Sequence, residues 1–114
     1  PLRPGALDEG GAILGAGGVT VLDDSLSPIE AVRHLTAYNA AESCGKCTPC
    51  REGTARTEML LALAATRLLQ AGEREQLAAL NETIRLASLC GLGQAAPNPV
   101  TSLLRHWPDG GSSV

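Results

Sequence analysis

Three cysteines fall within seven residues, Cys44, Cys47 and Cys50, and a fourth, Cys90, follows after 39 intervening residues. No other feature limits the fold as tightly. If the four thiols serve one centre, residue 90 must return beside residue 44, and the chain between must double back. Two residues between successive cysteines let thiolates converge on one centre. A C-x2-C-x2-C run with a remote fourth cysteine is the local pattern of cubane-binding proteins, so a [4Fe–4S] cluster fits the spacing best. Structural zinc more usually shows two separated C-x2-C pairs, or histidines. Disulfides are disfavoured where thiols stay reduced, and coincidental buried cysteines are the blandest alternative. Arg51 follows Cys50 and Gly91 follows Cys90, whereas small bacterial ferredoxins place Pro after the last cysteine of their run.

Composition points to packed helices. The chain of 114 residues holds 18 Leu and 17 Ala but one Trp, one Tyr and no Phe. With 44% hydrophobic residues it is not a disordered tail. A net charge of -3 and the scarcity of aromatics argue against nucleic acid as a partner. The longest apolar run, Met59 to Ala65, is too short to cross a bilayer, so no membrane insertion is expected. There is no secretory signal pattern, and a cytoplasmic setting is the expectation. The chain starts at Pro1 rather than Met, which suggests a piece of something longer.

Residues 1–24 read as a trailing segment of an upstream domain. Ile13-Leu14 and Val19 to Leu22 suggest two short strands around the glycine turn Gly15 to Gly18. Residues 25–108 read as a four-helix domain, and 109–114 as a flexible Gly/Ser tail. Ser27-Pro28 with Glu30 opens the first helix, with Ile29, Val32 and Leu35 on its inner face, ending near Ala41. Thr48-Pro49 opens the second, expected to reach Gln70, with Leu61, Ala64, Ala65 and Leu68 inward and Gly72 as its breaker. The third is expected from Glu73 to Leu89, with Leu77, Leu80, Ile84 and Ala87 inward. A loop over Gly91 to Pro97 leads to a short fourth helix bearing Val100, Leu103, Leu104 and Trp107, stopped by Pro108. Short connections suggest an antiparallel bundle. Its core is small, and an inorganic staple would help hold it. Cys50 would sit in the first turn of helix two, where free N–H groups favour negative charge. Lys46 and Arg51 would add positive potential. Cys90 would return to this end from helix three.

The stretch Glu42-Ser43-Cys44-Gly45-Lys46-Cys47-Thr48-Pro49-Cys50-Arg51-Glu52-Gly53-Thr54 strongly resembles the cluster motif of the NADH-binding flavoprotein subunit, 51 kDa type, of respiratory complex I. The same subunit type occurs in NAD-linked formate dehydrogenases and hydrogenases. Ser88-Leu89-Cys90-Gly91-Leu92-Gly93, Ala96-Pro97-Asn98-Pro99-Val100 and Leu104-Arg105-His106 fit it as well. The resemblance covers about residues 10 to 107. It implies a mainly α four-helix bundle in which Cys44, Cys47, Cys50 and Cys90 ligate one [4Fe–4S] cluster. It implies electron relay between FMN and NAD(H), held in the parent subunit, and further iron–sulfur centres. The implied partners are a small ferredoxin-like subunit and a larger iron–sulfur subunit. The piece alone is then not catalytic. Trp107 stands where the family usually has Phe. The alternative from another class is a zinc-stapled helical interaction module.

Other polar residues carry weaker signals. His34 and His106 read as edge or surface residues rather than ligands. Arg105 reads as solvated. Glu42 and Glu52 are not expected to form a catalytic pair, and Glu52 is expected to favour the N-terminus of helix two.

Overall fold

Ser27 opens the first helix as its sequence position suggests. Its Oγ accepts the Glu30 N–H at 3.4 Å and donates to the Glu30 carboxylate at 3.2 Å, with Pro28 in the first turn. In the computed structural model, which describes residues 3, 5–7 and 12–108, this helix is α1, Pro28–Ala41. It is followed by α2 (Thr48–Ala64), α3 (Ala71–Ala87), the single turn α4 (Gly91–Ala95) and α5 (Asn98–His106). The four longer helices form an all-helical globule. α1 and α3 each pack against both α2 and α5, and α4 lies against α3.

The inner faces differ from the apolar periodicity in an instructive way. On α1 the buried residues are Ile29, Val32 and Thr36, while Leu35 is exposed. On α2 they are Cys50, Gly53, Thr54, Thr57, Leu60 and Leu61, while Ala65 and Leu68 face solvent. On α3, Leu77, Asn81 and Ile84 are buried, Leu80 is half-buried and Ala87 is exposed. Small and polar side chains thus line the seam between α2 and α3. Asn81 Nδ2 donates to the Leu77 carbonyl at 2.8 Å and lies 3.4 Å from Thr57 Oγ1. Gly53 faces Ile84 one turn nearer the start of α2. Those two meetings fix α2 and α3 as antiparallel. The apolar core gathers Ile29, Val32, Leu60, Leu61, Leu77, Val100 and Leu103. Each large member contributes roughly 1.5–3 kcal/mol relative to an exposed side chain.

Several expectations are corrected. α2 stops at Ala64, not Gln70, and Gly72 lies inside the first turn of α3 rather than breaking α2. The cause is local capping. Glu73 accepts the Gln70 N–H at 2.9 Å and an Arg67 N–H at 2.8 Å, which fixes the start of α3 at Ala71 and forces a connection before it. Gly91 to Ala95 is a helical turn rather than loop, and Trp107 is the exposed cap after α5 rather than part of its inner stripe. No strand forms among the described residues. Val19 and Val21 are almost fully exposed, so the extended stretch there has no sheet partner. The glycine turn does form, with Gly15 and Gly17 at positive φ and the Gly17 N–H bonded to the Leu14 carbonyl at 2.9 Å. The expected tail at 109–114 lies outside the described residues, as do residues 1, 2, 4 and 8–11 of the leading segment.

Candidate metal centre

The site forms where the α1–α2 connection meets the end of α3. Glu42 caps α1, and the chain must then reverse sharply to start α2. Gly45 makes that possible at φ +73, a conformation side chains disfavour. The Arg51 guanidinium donates to the Gly45 carbonyl at 2.6 Å and pairs with Glu52 at 2.8 Å. Arg51 therefore clamps the tip of the cysteine loop, and its charge is shared with Glu52. That corrects the expected role of Glu52, whose carboxylate goes to Arg51. Cys47 is the N-cap of α2, one residue earlier than Thr48-Pro49 suggested, and Cys50 lies in its first turn, 5% exposed.

The remote cysteine arrives from the far end of α3. Ser88 caps that helix, Leu89 follows, and Cys90 is the N-cap of α4. The Cys47 sulfur lies against this segment. Its thiol is held below the ordinary cysteine range first by the backbone N–H of Leu89, then by that of Cys50, against a smaller opposing effect of burial. An acidified thiol at a helix N-terminus is a ready thiolate donor. The Ser88 hydroxyl is the weakest of the groups acting on Cys47, and it is buried without a hydrogen bond of ordinary geometry. On the other side, Ser43 Oγ lies 3.3 Å from Cys50 Sγ.

Gly93 completes the cradle. A Cβ there would come within 3.1 Å of Cys50 Cβ and 2.5 Å of Ser88 Oγ, so only glycine lets α4 seat against the start of α2. Gln94 Nε2 holds the Ser88 carbonyl at 3.2 Å. All four cysteines are free: Cys50 is buried, Cys47 half-buried, Cys44 and Cys90 exposed. Among the described residues, no three His, Cys, Asp or Glu side chains stand close enough to hold a single metal ion. The donor set, soft thiolates with amide N–H groups aimed at one of them, fits an iron–sulfur centre.

The remaining candidates lie elsewhere. His34, Arg105 and His106 are exposed, and His106 meets the Trp107 ring edge-on at 5.9 Å. Ser43, Ser88 and Gly93 are site residues that the cysteine spacing alone did not single out. Their signal was adjacency: two serines flank cysteines, and a glycine stands three residues after Cys90.

Residues 30–111 match the family described as the NADH-ubiquinone oxidoreductase-F iron-sulfur binding region. The chain belongs to this family. Similar proteins include the F subunit of NADH-quinone oxidoreductase from Rickettsia felis, 36% identical over 102 residues, covering 90% of this chain and 24% of the relative. The corresponding F subunit in Mycobacterium bovis is 33% identical over 109 residues, 96% of this chain and 24% of that protein. Among solved structures, an NAD+-reducing [NiFe]-hydrogenase in the H2-reduced state superposes with a TM-score of 0.73 at 39% identity, over 79% of this chain and 16% of that one. The chain therefore spans about a quarter of the length of the curated relatives it matches. It is an iron–sulfur binding region of the oxidoreductase-F type, and among the described residues no helix is long and apolar enough to cross a membrane.

Proposed function

We propose that this chain is the electron-relay part of an NAD(H)-dependent oxidoreductase, in which Cys44, Cys47, Cys50 and Cys90 hold one [4Fe–4S] cluster. One observation carries the reading. A Cβ at Gly93, three residues after Cys90, would lie 3.1 Å from Cys50 Cβ, so the two sequence-distant cysteine segments meet at the start of α2. When bound, the cluster supplies one-electron chemistry. The chain's own residues do the rest. Four thiolates hold it, the N–H groups at the start of α2 offset its negative charge, and Gly93 lets α4 close behind Cys50. No bond-making is assigned to these residues.

In this reading, electrons pass between FMN and NAD(H), bound by other parts of an oxidoreductase-F-type protein, and further iron–sulfur centres. The partners are a small ferredoxin-like subunit and a larger iron–sulfur subunit of an assembly of the NADH dehydrogenase, formate dehydrogenase or hydrogenase type. The setting is cytoplasmic, where thiols stay reduced. The test is iron and sulfide analysis of anaerobically prepared protein, with its visible spectrum. Broad visible absorption that bleaches on reduction is expected. Cys90→Ser is expected to lose most of the iron and sulfide although it lies far along the chain. Unchanged cluster content in that variant removes the four-ligand set. Colourless protein carrying stoichiometric zinc would replace the proposal with a zinc-stapled helical module.

A further inference from the structure

Ser43 immediately precedes the first cysteine, but its hydroxyl reaches the third. Its Oγ lies 3.3 Å from Cys50 Sγ and accepts the Gly45 N–H at 3.4 Å. The Ser43 N–H is in turn bonded to the Ala40 carbonyl at 3.3 Å, tying this residue to the end of α1. A serine hydroxyl has one proton and two acceptor sites. The Gly45 N–H engages an acceptor site, which leaves the proton free to point at sulfur. While Cys50 is a thiol, either atom can donate. A thiolate bound to iron has no proton, so only the Ser43 O–H can donate. Cys50 is 5% exposed, so water competes poorly for this contact, and the hydrogen bond acts in a medium of low dielectric.

Resting on the cluster assignment above, we infer that Ser43 donates a hydrogen bond to the Cys50 thiolate and thereby raises the reduction potential of the cluster. The couple gains one electron and no proton, and Ser43 keeps its own. The added electron increases the negative charge shared by the sulfurs. A donor aimed at one of them stabilises the reduced state more than the oxidised state, and hydrogen bonds to sulfur are among the determinants of cluster potential. Ser43 is a positioning residue in this scheme, acting through a ligand.

The test is a mediated redox titration of the full, anaerobically reconstituted chain, followed by electron paramagnetic resonance, with iron and sulfide measured on every sample. Ser43→Ala is expected to keep its cluster and lower the reduced-to-oxidised ratio about tenfold at fixed ambient potential, equivalent to about 59 mV for a one-electron couple. Ser43→Thr, which keeps the hydroxyl, is expected to titrate close to the parent. Ser43→Val, with the same shape and no hydroxyl, is expected to follow Ala. Equal potentials for Thr and Val overturn the inference, as does an unmoved potential in Ser43→Ala. Loss of the cluster from the Ala and Val variants also overturns it, in favour of a purely structural hydroxyl. If the parent chain binds no cluster at all, the failure is that of the underlying assignment.

Discussion

Gly53 shows how much of this fold depends on a missing side chain. It is buried on α2, facing Ile84, which is 1% exposed on α3. A Cβ at position 53 would lie 2.8 Å from Ile84 Cδ1 and closer still to Cγ1. Gly53→Ala gains up to about 1 kcal/mol in helix propensity. It must also force α2 and α3 apart or drive Ile84 off its rotamer, a cost of about 1–3 kcal/mol. A net loss is expected, read as a fall in Tm of about 4–8 °C per kcal/mol for a domain this size. A Tm at or above the parent would mean that the seam opens freely. Hydrophobic periodicity could not see this residue. It found Leu61, Leu77 and Ile84, which are buried, but it also chose Leu35, Ala65 and Leu68, which are exposed. The α2–α3 seam is set by close approach of Gly53 and Thr57 to α3, and small or hydroxylated residues carry little weight in an apolar pattern.

At the scale of elements, the first helix was legible at both ends, and the boundary between the second and the third was not. Ser27-Pro28 is a local signal, complete within four residues, and α1 starts where it should. The end of α2 depends on contacts made six residues further along. Arg67 and Gln70 both give hydrogen bonds to Glu73, and this set decides where one helix stops and the next begins. It also carries a pH dependence. The Arg67 guanidinium, followed by the Gln70 N–H, lowers the Glu73 carboxyl from 4.5 to about 2. A carboxyl whose folded value is depressed stabilises the fold fully above its unfolded value. That contribution fades as pH falls from about 4.5 toward about 2 and is gone below it. Because the group is in contact with water, the contribution is screened by salt. Glu73→Gln is therefore expected to lower stability at neutral pH and flatten the acid-unfolding curve within that window, most visibly at low ionic strength. Denaturant midpoints measured across pH 2–7 check it. Parallel curves for parent and variant would show that the pair contributes nothing to folding.

At the scale of the whole molecule, the candidate site and the apolar core occupy different places. The core cluster of Ile29, Val32, Leu60, Leu61, Leu77, Val100 and Leu103 contains no residue of the cysteine loop, the Ser88–Cys90 segment or α4. The cysteine spacing and the short connections made the antiparallel return of α3 legible. They could not show that the site is built on a helical globule with a core of its own. That separation bears on what removing the metal does. Proteins whose fold consists mainly of ligand bonds unfold without metal. Here the mouth is tied by few direct contacts: Arg51 to the Gly45 carbonyl, Ser43 to Cys50, Gln94 to the Ser88 carbonyl, and the N–H groups around Cys47. Cluster removal is therefore expected to loosen residues 43–51 and 88–94 while the core helices stay formed, because local opening follows local contact density. Hydrogen exchange on cluster-loaded and cluster-free protein checks this. Faster exchange confined to those two segments, with slow amides kept around Leu61 and Leu77, is the expected pattern. It should accompany a lower Tm, since binding to the folded state alone adds to its stability. Uniformly fast exchange after removal would mean that the bound cluster, and not the Leu and Val core, holds the helices together.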